Sequence, residues 1–158
     1  MRFLNDYKNR GGRVTVGSDS GYIYNLYGFG YVQEMHLLRE AGFTPLEVIH
    51  AATLQGARQL GIEKDVGSVT IGKKADFVVL QENPLENLHV LFATGTLRLN
   101  DETRAVERVG GIRYVIKDGI VYENGKILKR IREIVQQEKQ ARGIGPGPMP
   151  IETVSQLP

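Results

Sequence analysis

Cysteine is missing altogether from the 158 residues, which rules out disulfides, thiolate metal sites and a cysteine nucleophile. That absence is compatible with a reducing cytoplasm, the location expected for the chain. No run approaches the roughly 20 apolar residues of a membrane span. The opening Met1-Arg2-Phe3-Leu4-Asn5-Asp6-Tyr7-Lys8 has no apolar core of the signal-peptide kind. Charge of one sign is also lacking: 20 Lys and Arg against 18 Asp and Glu leave a net +2. So small an imbalance gives no electrostatic case for nucleic acid or for an anionic membrane. What remains, 41% hydrophobic and 24% charged residues, is the composition of a globular domain with a real core.

Along the chain, Val14-Thr15-Val16-Gly17 alternates β-branched residues and reads as a buried strand over 13–17. Gly17 and Ser18 break it, which leaves Asp19 at its carboxyl end. Residues 20–30 form a loop in which Tyr22, Tyr24, Tyr27 and Phe29 are spaced by Gly21, Gly28 and Gly30. Val32, Met35, Leu38 and Ala41 then recur at helical steps, predicting a helix over 31–41 that Gly42 stops. Thr44-Pro45-Leu46-Glu47 is a capping box with proline at the first helical position. It opens a helix expected to run unbroken to a C-terminal glycine at Gly61.

Beyond Gly61 the period changes to that of strands. Residues 67–72 and 75–80 read as strands, and 88–94 as a further one, with a polar loop or edge over 100–108. Ile112–Lys117 and Ile120–Tyr122 flank Asp118-Gly119, a two-residue hairpin signal; Asn124-Gly125 offers a second turn. Ile127, Leu128, Ile131, Ile134 and Val135 stripe a basic helix reaching about Gln140 (a solvated face is the simplest account of its charges). From Gly143 the Gly- and Pro-rich sequence reads as a tail.

Asp19 taken alone is a turn or N-cap residue. Ser18 and Ser20 read as turn residues, since no histidine base is placed to activate them. His36 and His50 fall on helices, in core or surface roles. Asp76, inside an apolar strand, is expected to satisfy nearby backbone donors. Lys73-Lys74 lacks the spacing of a phosphate-binding loop.

Three segments in order change the weight given to Asp19. They are the strand ending Gly17-Ser18-Asp19; Glu40 to Glu47 running into Ala51-Ala52-Thr53 and Leu60-Gly61; and Gly67 to Leu80, later joined by Val115 to Gly119. Over roughly residues 11–122 they resemble the C-terminal third of the metal-dependent amidohydrolase superfamily, in its imidazolonepropionase and prolidase-like branch. The resemblance implies an α+β chain: the last strand and helices of a (β/α)8 barrel, plus the C-terminal half of a small, composite β-sandwich. The implied divisions are 1–61 for the barrel end, 62–128 for the sandwich, 129–142 for a terminal helix and 143–158 for the tail.

The same resemblance makes Asp19 the eighth-strand carboxylate, a metal ligand and proton acceptor. Tyr22, Tyr24 and Tyr27 would then lie among substrate-facing loops, where barrel enzymes keep their sites; packing on the barrel rim is the structural alternative. The implied reaction is hydrolysis of a C–N bond in a small amide, cyclic amide or dipeptide, using a divalent ion, zinc by resemblance. The family's other ligands belong to upstream strands, and His36, His50 and His89 lack ligand spacing. The complete enzyme is expected to extend several hundred residues upstream, with the 158-residue chain inactive by itself. It would associate with the missing barrel portion or with copies of itself. The competing reading is a non-catalytic, truncated relative serving as a structural or oligomerisation module.

Overall fold

In a computed structural model, residues 2–22 and 25–147 are described. The chain divides into two compact units, Met1–Tyr122 and Glu123–Pro158. The first begins with α1 (Arg2–Asn9), followed by α2 (Gly30–Glu40) and α3 (Pro45–His50). The capping box forms as its residue types require: the Thr44 hydroxyl accepts from the Glu47 N–H at 3.3 Å. The Glu47 carboxylate in return accepts from the Thr44 N–H at 2.8 Å. Gly42, at φ 97°, and Gly61, at φ 71°, end their helices in the left-handed conformation.

The expected single helix to Gly61 is not continuous. After α3 the chain widens into one π turn, Ala51–Gln55, before α4 (Gly56–Gln59). A π turn displaces carbonyls from the ordinary ladder, and the hydroxyl of Tyr31 in α2 donates to the Ala52 carbonyl at 2.6 Å. Burial pushes the Tyr31 hydroxyl up in pKa, so it stays a donor.

The strand expected over 13–17 does not form: these residues adopt no regular element and join neither sheet among the described residues. Their pattern still holds: Val14 and Val16 pack on the core, while Arg13, Thr15 and Gly17 are exposed. That core gathers Met35, Leu38, Ala41, Phe43, Val48, Ala51 and Leu88. Phe43 and Val48 are its fully buried members.

Of the later strand expectations, 67–72 is not a strand, and Val69 and Ile71 are exposed. Only Phe77–Leu80 of the next segment forms one, β1. Residues 88–94 are corrected outright. Leu88–Leu91 is a turn of 3-10 helix, because the Asn87 side chain caps it by accepting from the His89 N–H at 2.9 Å. Within the stretch read as a loop or edge, residues 100–105 are the loop of a hairpin whose strands are β2 (Thr96–Leu99), before it, and β3 (Val106–Val109), which takes up its end.

β4 (Ile112–Lys117) pairs antiparallel with β1, Val78 opposite Val115, and with β5 (Ile120–Glu123) on its other side. Asp118 at φ 49° and Gly119 at φ 80° make the two-residue turn that the sequence predicted. Asp76 accepts from the Asp118 N–H at 2.7 Å and from Lys117 Nζ at 3.0 Å, the backbone-satisfying role expected of it.

In the second unit the expected turn at Asn124-Gly125 is instead the first turn of α5 (Asn124–Ala141). The helical period of Ile127, Leu128 and Ile131 overrides the local turn preference. Among the described residues no helix is long and apolar enough to cross a membrane.

Candidate functional site

Asp19, just beyond the core-packed Val14 and Val16, lies in the left-handed region, at φ 46°, with its side chain exposed. Aspartate tolerates this conformation better than most residues, but it remains uncommon outside glycine. Its carbonyl accepts from the Tyr22 N–H at 3.3 Å, closing a tight turn. Ser18 and Ser20 on either side share a hydroxyl hydrogen bond of 2.7 Å, which spends both as turn-builders rather than nucleophiles.

The loop after Asp19 is fastened by a residue the sequence reasoning did not single out. The Asn25 side-chain amide donates to the Ser18 carbonyl. Its main chain both donates to the Tyr22 carbonyl, at 3.1 Å, and accepts from the Gly21 N–H, at 2.8 Å. The available signal was composition: asparagine in a glycine-rich stretch favours such side-chain-to-backbone closures. Gly30 is required beside it, since a Cβ there would stand 2.0 Å from Asn25 Oδ1.

Tyr22 and Tyr27 are 66% and 79% exposed, so neither is consumed by packing. Tyr27 turns its hydroxyl back over Gly21, where a Cβ would come within 2.3 Å. Tyr24 lies outside the described residues. The loop thus brings Asp19, Tyr22 and Tyr27 onto one exposed turn system.

The histidines sit apart from this turn in sequence and in role. His36 of α2 stacks on His89 of the 3-10 turn, ring centroids 4.1 Å apart. Among the described residues, no three His, Asp or Glu side chains converge as a metal site. A tetrahedral zinc site takes about four ligands, so Asp19 and its described neighbours do not by themselves fit a resident ion.

Comparison with known proteins defines the class. Residues 2–127 match the amidohydrolase family, and the chain belongs to that family. A 5'-deoxyadenosine deaminase of Methanobrevibacter smithii is 36% identical over 77 residues, covering 44% of this chain and 18% of its own. An imidazolonepropionase of Symbiobacterium thermophilum is 31% identical over 97 residues, 61% of this chain and 18% of its own. Among solved structures, a Xaa-Pro dipeptidase with methionine bound in its active site aligns with a TM-score of 0.58 at 27% identity. The match covers 77% of this chain and 25% of the dipeptidase. The chain therefore spans 18% of each of these two curated relatives.

Proposed function

We propose that this chain supplies Asp19 to the active site of an enzyme that hydrolyses a C–N bond in a small amide, cyclic amide or dipeptide. The observation that carries the reading is the exposed, left-handed Asp19 at the end of the core-packed Val14–Gly17 segment, inside a stretch that matches the amidohydrolase family from residue 2 to 127. The relatives support the chemistry, being named as deaminases, an imidazolonepropionase and a dipeptidase.

In this reading residues 1–61 form the closing strand and helices of a (β/α)8 barrel, and residues 62–128 the C-terminal share of a composite sandwich. A terminal helix, 129–142, and a tail, 143–158, complete the chain. Tyr22 and Tyr27 face the substrate, and their hydroxyls offer hydrogen bonds to its carbonyl or carboxylate; Tyr24, outside the described residues, is given the same substrate-binding role. Asp19 contributes one carboxylate, to take a proton and to serve as one metal ligand, in a centre that other chain segments complete. Because this chain does not fit an ion alone, it is expected to be inactive in isolation.

The test compares the 158-residue chain with a polypeptide extended upstream through the same reading frame. The extended protein should retain zinc through dialysis and turn over amide or Xaa-Pro substrates. Asp19→Asn should lower its kcat by ~100-fold or more, the scale of losing a general base. Turnover by the short chain alone overturns the divided site, and a fully active Asp19→Asn overturns the role of Asp19. An extended protein without turnover or metal would favour the association-module reading, to which the exposed Ile120 and Val121 of β5 lend support.

A further inference from the structure

Four aromatic rings form a continuous row between the start of α2 and the 3-10 turn at Leu88–Leu91. Phe29, the residue before α2, meets Phe92 with centroids 5.5 Å apart. Phe92 lies 5.7 Å from His89, their planes 16° apart, and His89 lies 4.1 Å from His36. Phe29 is also the exit of the tyrosine loop, directly after Tyr27-Gly28.

Two members of this row can acquire charge. Nε2 of His36 is buried and has no hydrogen-bond partner, so a proton placed there finds no acceptor. A second proton on His89 would set two cations face to face across 4.1 Å. Burial and then His89 hold His36 below the ordinary imidazole range; on α2 itself Glu40 opposes this and Arg39 adds to it. From α3, which also packs on α2, Glu47 is engaged by Lys8 and Thr44. His50 of the same helix is not among the groups that act on His36.

We propose that the His36–His89 stack is an acid-sensitive clasp that fastens the exit of the tyrosine loop, through Phe92 and Phe29, to the turn at residues 88–91. The clasp is closed while His36 is neutral and opens when a proton is forced onto its buried, unpartnered Nε2. It goes beyond the reading of Asp19 and does not depend on it. The direction follows from linkage: a histidine held neutral in the fold binds more protons when released. Acid below the ordinary imidazole range therefore favours the open state.

Hydrogen exchange on the full 158-residue chain tests this. Useful reporters are the Gln33 amide, bonded to the Phe29 carbonyl, and the Val90, Phe92 and Gly111 amides around the turn. After correction for intrinsic rates, their exchange should rise by ~10-fold or more between about pH 7 and about pH 5. His36→Phe, which keeps the stack without its titration, should abolish that rise, and His89→Phe should only reduce it, because burial acts on His36 before His89 does. Equal protection of the wild type at both pH values overturns the clasp, as does an unchanged response in His36→Phe. Should either variant not fold, the wild-type imidazole Cε1–H resonances decide. A clasp places the His36 titration on the acid side of the ordinary imidazole range, whereas a His36 titration within that range overturns it.

Discussion

Lys8 of α1 donates to the carboxylate of Glu47 in α3, the same carboxylate that closes the Thr44 capping box. One side chain thus caps the start of a helix and ties it to another 39 residues away. Lys8 also stands 5.0 Å above the ring of buried Phe43. The Lys8 hydrogen bond first, and the Thr44 backbone second, lower Glu47 to a pKa of about 2. A depressed carboxylate stabilises the fold above its unfolded pKa and loses that contribution as the pH falls toward the folded value. Both partners are partly exposed, so the pair is worth about 1 kcal/mol or less. Lys8→Met should cost that much near neutral pH, and the difference from wild type should fade toward about pH 2 in urea unfolding curves taken across the range.

Thr44→Ala removes the other half of the arrangement. The Glu47 N–H loses its acceptor, and unfolding free energy should fall by ~1 kcal/mol. Thr44→Ser should restore most of it, because the hydroxyl is what caps.

Asp76 joins β1 to the Asp118-Gly119 turn through the Asp118 N–H and Lys117. The Asp118 N–H first, and Lys117 second, hold its carboxyl below the usual range. Its hold on the turn is therefore present above that range and lost as acid protonates it. Asp76→Ala should raise exchange of the Asp118 amide near neutral pH and make that exchange insensitive to acidification through the carboxylate range. Asp76→Asn should keep part of the protection.

Phe43 is 1% exposed and stands among Met35, Leu38 and Val48. Phe43→Ala should cost about 3–5 kcal/mol in denaturant unfolding. Phe43→Leu, which leaves a smaller void, should cost well under that.

Where short-range chemistry decides the outcome, it is legible in these residues. Thr44 through Glu47 carry every atom of their cap, and Asp118-Gly119 carries its own turn. Gly42 and Gly61 mark helix ends because their backbones need positive φ. Segments decided by partners read less well. Val14 and Val16 bury as a strand would, yet no ladder forms beside them among the described residues. Leu88 and Val90 look like strand residues until Asn87 captures the His89 amide and curls them into a 3-10 turn. Leu97 and Leu99 do alternate, but the polar run between them and Val106 masks their hairpin. At the candidate site, the break at Gly17-Ser18 marks the turn that Asp19 enters, although the strand expected before it does not form. Asn25 as the loop's fastener was not, because its partner is a main-chain carbonyl seven residues earlier. The stacked histidines lie 53 positions apart, beyond any local pattern.

The widened turn at Ala51–Gln55 has one more effect. A π turn holds one residue more than an α turn, so deleting a single residue from it would let the ladder close as ordinary α-helix with α4 kept in step. Gly67 rests so closely on this stretch that a Cβ would come within 2.6 Å of Ala57 and 3.1 Å of the Leu54 Cα. A one-residue shortening would therefore narrow the helix under that glycine and withdraw the Thr53–Leu54 backbone on which the chain seats itself as it turns from helices to strands.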